Sequence, residues 1–263
     1  MRIARLLLFG AVLSGLTAVG SGCATPPRLP AAAIAAPPLT SAPAAAGPPV
    51  VVLDPGHNGR NSRNLAEINR QVPDGRGGTK PCNTTGTQTN AGYPEHAFTF
   101  DVASRVAQQL TAAGVRVVMT RTDDDGVGPC VDERGRAGES AGADAVVSIH
   151  ADGAASRGTG FHVAFSDPPL NPAQEGPARE LSVSLRDAMR AAGFADSNYI
   201  GRDGLSPRAD LAGLSLATRP TALVECANMR NPHEAAVVSS EEGRARYAAA
   251  LTQGVLAYLN LPH

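Results

Sequence analysis

Four side chains in this sequence have the types needed for one piece of chemistry: His57, Glu95, His150 and Glu225. Two imidazoles and one carboxylate, from His57, His150 and Glu95, make a ligand set suited to catalytic zinc, with a fourth position left for water. A second carboxylate beside such a water, from Glu225, can act as general base and then protonate a leaving nitrogen. The three candidate ligands are far apart in the chain, so local spacing does not define the site. Their placement supports it. His57 follows Val50-Val51-Val52-Leu53-Asp54-Pro55-Gly56, an aliphatic run that reads as a buried strand stopped by Pro-Gly. His150 ends Asp144-Ala145-Val146-Val147-Ser148-Ile149, and Glu225 ends Ala222-Leu223-Val224. Glu95 falls in the first turn of a helix, where a carboxylate suits the positive end. Strand ends and a helix start can all face one cleft, as ligand sites do in open α/β sheets.

The rest of the chain supplies the elements for that convergence. Phe98, Val102, Val106 and Leu110 recur at helical spacing from Pro94 to Gly114, and Val115–Thr120 reads as the next strand. Asp132–Gly142 reads as a short helix, Asp144–His150 as a strand and Gly158–Phe165 as another, at an edge. Ala173–Ala192 is an amphipathic helix closed by Gly193. Asn198–Arg219 is mostly loop and short helix, Thr221–Cys226 a strand, and Glu241–Leu259 a last helix. Strands alternating with helices predict an α/β domain with a twisted, mostly parallel sheet flanked by helices, a single domain over 50–263. The long polar loop Asn58–Gly92 is Gly-rich, and Thr84–Thr89 alternates weakly enough to suggest a hairpin arm. A loop of that length is usually functional or mobile.

The first 49 residues are not read as fold. Arg2 and Arg5 precede an apolar stretch, Leu6–Val19, and small residues around Gly22-Cys23-Ala24, the pattern of an export signal over 1–24. Residues 25–49, rich in Ala and Pro, form an expected disordered linker. Cys23 after small residues resembles a bacterial lipobox, although Gly20 stands where that motif prefers Leu, so a lipid anchor is one expectation. The net charge of −1 becomes about −3 once Arg2 and Arg5 leave. That leaves no basic surplus for nucleic-acid binding. Of four cysteines, Cys82 and Cys130 lie in Gly/Pro/Asn-rich loops and pair as a disulfide in an oxidising compartment, while Cys226 is a buried thiol.

The blocks Asp54-Pro55-Gly56-His57-Asn58-Gly59, Glu95, Ser148-Ile149-His150-Ala151-Asp152 and Val224-Glu225, with Asn231 and Glu234 beyond, resemble the zinc-dependent N-acetylmuramoyl-L-alanine amidases of the amidase_3 type. Thr120-Arg121-Thr122-Asp123-Asp124, Arg134 and the segment Leu211–Pro220 add to the match. The resemblance runs from Val50 to Leu261. It implies Zn2+ held by His57, Glu95 and His150, acid–base work by Glu225, and hydrolysis of the amide between the lactyl group of N-acetylmuramic acid and L-alanine of peptidoglycan. It implies an exported protein of the periplasm or cell wall. Cys226-Ala227-Asn228 departs from the Gly-Phe type sequence expected after the catalytic glutamate. No cell-wall-binding repeat is recognised, and a monomer is expected.

Two other functions compete. A zinc peptidase cutting within the stem peptide would use the same residues, and a non-catalytic peptidoglycan-binding lipoprotein would need none of them as a set. Smaller choices stay open. Asp54 and Asp152 either orient the histidines or cap turns. Arg208 is either a contact for an acidic stem peptide or an ordinary surface charge. His96 points away from Glu95, His162 is a packed or edge residue, and His233 and His263 carry no expected role.

Overall fold

The computed structural model describes residues 47–262. The expected leader, Cys23, nearly all of the 25–49 linker and His263 lie outside the described residues. The centre is a six-stranded sheet in the order β4-β1-β5-β8-β6-β7. Its strands are β1 (Val50–Pro55), β4 (Arg116–Met119), β5 (Ala145–Asp152), β6 (His162–Ser166), β7 (Leu205–Arg208) and β8 (Thr221–Asn228). All pairings are parallel except β6 with β8. A separate antiparallel hairpin joins β2 (Gln71–Pro73) to β3 (Thr79–Pro81).

The sheet divides its side chains by the two-residue period of a strand. Val51, Leu53, Val147, Ile149, Ala222, Val224 and Cys226 face the main core. There they meet α2 (Glu95–Ala112), α5 (Pro177–Ala191) and α8 (Glu241–Tyr258) through Phe98, Val102, Leu181, Leu185 and Leu251. The alternate set, Asp54, Ser148, His150, Leu223 and Glu225, faces the opposite side. On that side Val52 and Val146 pack with Ala137 and Ala141 of α3 (Val131–Ala141), and α6 (Ala212–Ser215) lies against α3. One face is therefore closed by three long helices. The other is covered by short elements that leave a cleft over the carboxyl ends of β5 and β8.

The α/β class, the mostly parallel sheet and the two longest helices, α2 and α8, match expectation. Gly158–Phe165 does not lie at an edge: β6 is inside the sheet, because β7 pairs beyond it. The hairpin is at 71–81 and not at Thr84–Thr89. The helix expected over Ala173–Ala192 is broken at Gly176, giving α4 (Pro172–Glu175) and α5. Two further helices, α1 (Leu65–Ile68) and α7 (Pro232–Ser239), complete the set, and a 3-10 turn spans Asn61–Arg63. Cys82 and Cys130 form the expected disulfide, and Cys226 is a buried free thiol.

Candidate metal centre and cleft

The turn after β1 is built to be rigid. Pro55 and Gly56 end the strand, and His57 takes φ 60°, a left-handed conformation that a non-glycine residue adopts only when its surroundings enforce it. Two buried arginines do so. Arg134 of α3 donates to Asp54 Oδ1 at 2.6 Å and to the carbonyls of Pro55, His57, Gly128 and Pro129 at 2.7–3.0 Å. Arg121 donates to the carbonyls of Pro55 and Gly56 from the other side and to Asp124. Asp54 also accepts from Thr120 Oγ1 and Ser148 Oγ. Burial alone would raise the Asp54 pKa, but Arg134 and the two hydroxyls hold it below the usual carboxylate range.

His57, Glu95 and His150 come together. Glu95 Oε1 lies 3.1 Å from His57 Nε2 and 3.0 Å from His150 Nδ1, and the three donor atoms are mutually within 4.8 Å. The ring planes of the two histidines are nearly perpendicular, 4.9 Å apart. Gly56 makes room for this packing, since a Cβ there would stand 2.2 Å from His150 Cε1. His57 Nδ1 donates to the Thr84 carbonyl at 3.2 Å, and its Nε2 faces Glu95 Oε1. Burial would lower the His57 pKa, but the Glu95 carboxylate outweighs it and raises it. Burial would raise the Glu95 pKa, but the His57 charge and hydrogen bonds from both rings pull it down. Two imidazole nitrogens converging on one ionised carboxylate oxygen is a donor set that fits a borderline cation such as zinc.

Glu225 lies one strand over, paired in register with His150. Its Oε2 is buried and makes no hydrogen bond among the described residues. Burial raises its pKa well above the usual value, with the charges of Glu95 and Asp152 adding and Arg208 opposing. A carboxyl oxygen buried without a partner is costly unless it has work to do. The cleft around it measures about 820 Å³, and its lining includes His57, Glu95, His150, Glu225, Leu211 and Leu223. That size suits a peptide or sugar–peptide fragment.

The remaining residues are placed as follows. Asp54 touches neither histidine ring and binds Arg134 instead. Asp152 accepts from the Gly153 N–H and so caps its turn. Arg208, half-buried, is bidentate on Asp210 while lying close enough to Glu225 to act on its charge. His96 pairs with Asp124 at 2.7 Å, away from Glu95. His162 is buried in β6 opposite Glu225, with Tyr199 edge-on to its ring. His233 lies in the first turn of α7. Sequence reasoning missed Thr84, Gly86 and Thr87. The Thr87 N–H donates to Glu95 Oε2 at 2.9 Å, and Gly86, at φ 76°, lies flat against His57 and Glu95. Only the Gly-rich character of the Asn58–Gly92 loop pointed to it.

The family described as Amidase_3, N-acetylmuramoyl-L-alanine amidase, matches residues 51–257. The N-acetylmuramoyl-L-alanine amidase Rv3717 of Mycobacterium tuberculosis is 51% identical over 210 residues, 80% of this chain and 86% of that protein. The crystal structure of the N-acetylmuramyl-L-alanine amidase Ami1 from Mycobacterium smegmatis superposes with a TM-score of 0.79 at 51% identity, covering 81% of this chain and 98% of that one. The apo form of Ami1 from Mycobacterium abscessus gives a TM-score of 0.78 at 52% identity, covering 81% of this chain and 100% of that one.

Proposed function

This chain belongs to the N-acetylmuramoyl-L-alanine amidases of the Amidase_3 family, and from that premise we infer how its cleft works. It hydrolyses the amide that joins the lactyl group of N-acetylmuramic acid to L-alanine in peptidoglycan. We propose that the reaction depends on zinc held by His57 Nε2, His150 Nδ1 and Glu95, and that Glu225 is the acid–base residue. One observation carries the reading: three donor atoms converge within 4.8 Å, and on the adjacent strand Glu225, itself half-buried, holds one buried carboxyl oxygen without a hydrogen-bond partner. When bound, zinc would polarise the lactyl carbonyl and lower the pKa of a water towards about 7.

The chain's own residues do the rest. The Thr84 carbonyl keeps His57 protonated at Nδ1, and Glu95 is held from behind by the Thr87 N–H. Glu225 takes the proton of the attacking water and passes it to the alanine nitrogen as the C–N bond breaks. A carboxyl group with a raised pKa suits the second half of that task, since it must surrender a proton to a departing amine and start again. The products are a muramic sugar with a free lactyl carboxylate and a stem peptide with a new amino terminus.

The leader at 1–24 and the linker at 25–49 would deliver the 50–263 domain to the wall compartment, where its substrate is, with Cys23 available for acylation. No helix among the described residues is long and apolar enough to cross a membrane. The test is Glu225→Gln beside His150→Ala. The first should keep zinc at one equivalent and lose turnover of a muramoyl dipeptide by about 10²–10⁴-fold. The second should lose both. Full turnover by Glu225→Gln would remove Glu225 from the mechanism.

A further inference from the structure

The loop that the sequence left without a role touches both kinds of donor in the triad. Thr84 presents its carbonyl and its Oγ1 to His57 Nδ1, each at 3.2 Å. Three residues on, Thr87 donates its N–H to Glu95 Oε2 at 2.9 Å and accepts the Glu95 N–H at 2.9 Å. Between them Gly86 lies so close that a Cβ would be 2.9 Å from His57 Cδ2 and 3.0 Å from Glu95 Oε2. The segment 82–87 thus fixes the tautomer of one ligand and the second oxygen of another.

What holds the segment is equally specific. The Asn83 side chain donates to the Pro129 carbonyl at 2.7 Å and accepts the Thr84 N–H at 2.8 Å. Asn61 donates to the Thr84 carbonyl at 2.9 Å while accepting from the Gly128 N–H at 3.0 Å. Cys82 exchanges backbone hydrogen bonds with Arg70 and Val131, both at 2.7 Å, and is joined covalently to Cys130. Apart from the bonds to the carbonyls of Arg70 and Ile68, these ties lead, directly or through Asn61, to the segment 128–131 at the start of α3. The disulfide is the covalent member of that set, and it sits two residues from the Thr84 carbonyl.

We propose that the segment 82–87 is the positioning element of the metal centre, and that the Cys82–Cys130 disulfide sets metal affinity through it. This rests on the reading of His57, Glu95 and His150 as zinc ligands. Groups that orient a ligand in this way are each worth about 10–100-fold in metal affinity. Releasing Cys82 from Cys130 frees the segment to drift, so His57 loses its fixed ring orientation and Glu95 its backing N–H.

The test compares zinc affinity, by competition with a chromophoric chelator, in wild type, Cys82→Ser/Cys130→Ser and Asn83→Ala. Serines are used because free thiols would themselves bind zinc. Circular dichroism and thermal melts of the metal-free proteins establish that each is folded. Both variants should bind zinc about tenfold or more weakly. Cobalt substituted for zinc should show an altered visible spectrum, which a remote loss of stability would not produce. Asn83→Ala in the serine background should cost less than it does alone, since both act through one segment. If the serine pair does not fold, Asn83→Ala carries the comparison by itself. Folded variants with zinc affinity within about twofold of wild type and an unchanged cobalt spectrum would overturn the proposal. A wild-type protein that binds no zinc would overturn the metal reading itself, and the inference with it.

Discussion

Substituting Gly56 by alanine tests the geometry of the site with one methyl group. The new Cβ would stand 2.2 Å from His150 Cε1 and 2.5 Å from both ring nitrogens. Ordinary van der Waals contact begins near 3.4 Å, so one partner must retreat by about 1.2 Å. The backbone at Gly56 cannot do so cheaply. Its N–H donates to the Ile149 carbonyl at 3.0 Å, and its carbonyl accepts from Thr99 Oγ1 at 2.8 Å and from Arg121 at 3.2 Å. The His150 ring therefore moves. Metal–ligand distances tolerate about 0.2 Å, and a misplacement of about 1 Å at a reacting centre costs on the order of 100-fold. Gly56→Ala should thus stay folded, with an overpacking cost of about 1–3 kcal/mol. Its zinc affinity should fall at least tenfold and kcat/KM on a muramoyl dipeptide about 100-fold. Gly176→Ala, where a Cβ meets nothing within 4 Å, is the control. Wild-type zinc affinity and turnover in Gly56→Ala would mean that His150 is not a ligand in this position.

Arg134→Met removes the buried cation that holds Asp54 and four carbonyls of the 55–129 region. It should lose about 3–5 kcal/mol of stability, read as a lower denaturant midpoint, and a loss below 1 kcal/mol would contradict the clamp. His162 has its pKa pushed down to about 4, by burial first, with the Arg208 charge adding and Asp152 opposing. Its unfolded value is near 6.5, so as pH falls through the window from about 6.5 to 4 the unfolded chain binds a proton that the folded chain refuses. Folding stability should drop across that window by about 3 kcal/mol from this residue. His162→Gln should remove that part of the slope, measured by urea unfolding at several pH values; an unchanged slope would show that His162 charges in the folded state.

The site was legible where the sequence writes it in strand ends. Val50–Leu53, Ala145–Val147 and Ala222–Val224 are aliphatic runs, and His57, His150 and Glu225 follow them within four positions, at the carboxyl ends of their strands. Glu95 was legible as a helix start, because Phe98, Val102 and Val106 fix the phase of α2. What stayed hidden has local causes. β7 is Leu-Ser-Pro-Arg, four residues with no alternation, and Pro207 is tolerated there because an edge strand pairs on one side only. With β7 invisible, β6 looked like the edge. The break at Gly176 was masked by good helix formers on both sides. α7 went unread although Asn231 caps it and Pro232 opens it, because eight residues carry too little periodicity. Thr84 and Thr87 act through backbone carbonyl and N–H groups, which no side-chain pattern records. Asp54 could not be assigned because its partner Arg134 is 80 positions away.

The most direct measurement is mass spectrometry of the products formed from a muramoyl pentapeptide in H₂¹⁸O by the purified protein, with and without chelator. One ¹⁸O should enter the lactyl carboxylate of the muramic product, and the peptide should leave with an unlabelled free alanine amine. Chelator should stop the reaction and zinc restore it. Label in a carboxylate inside the peptide, or full turnover after the metal has been stripped, would contradict a zinc amidase at His57, Glu95, His150 and Glu225.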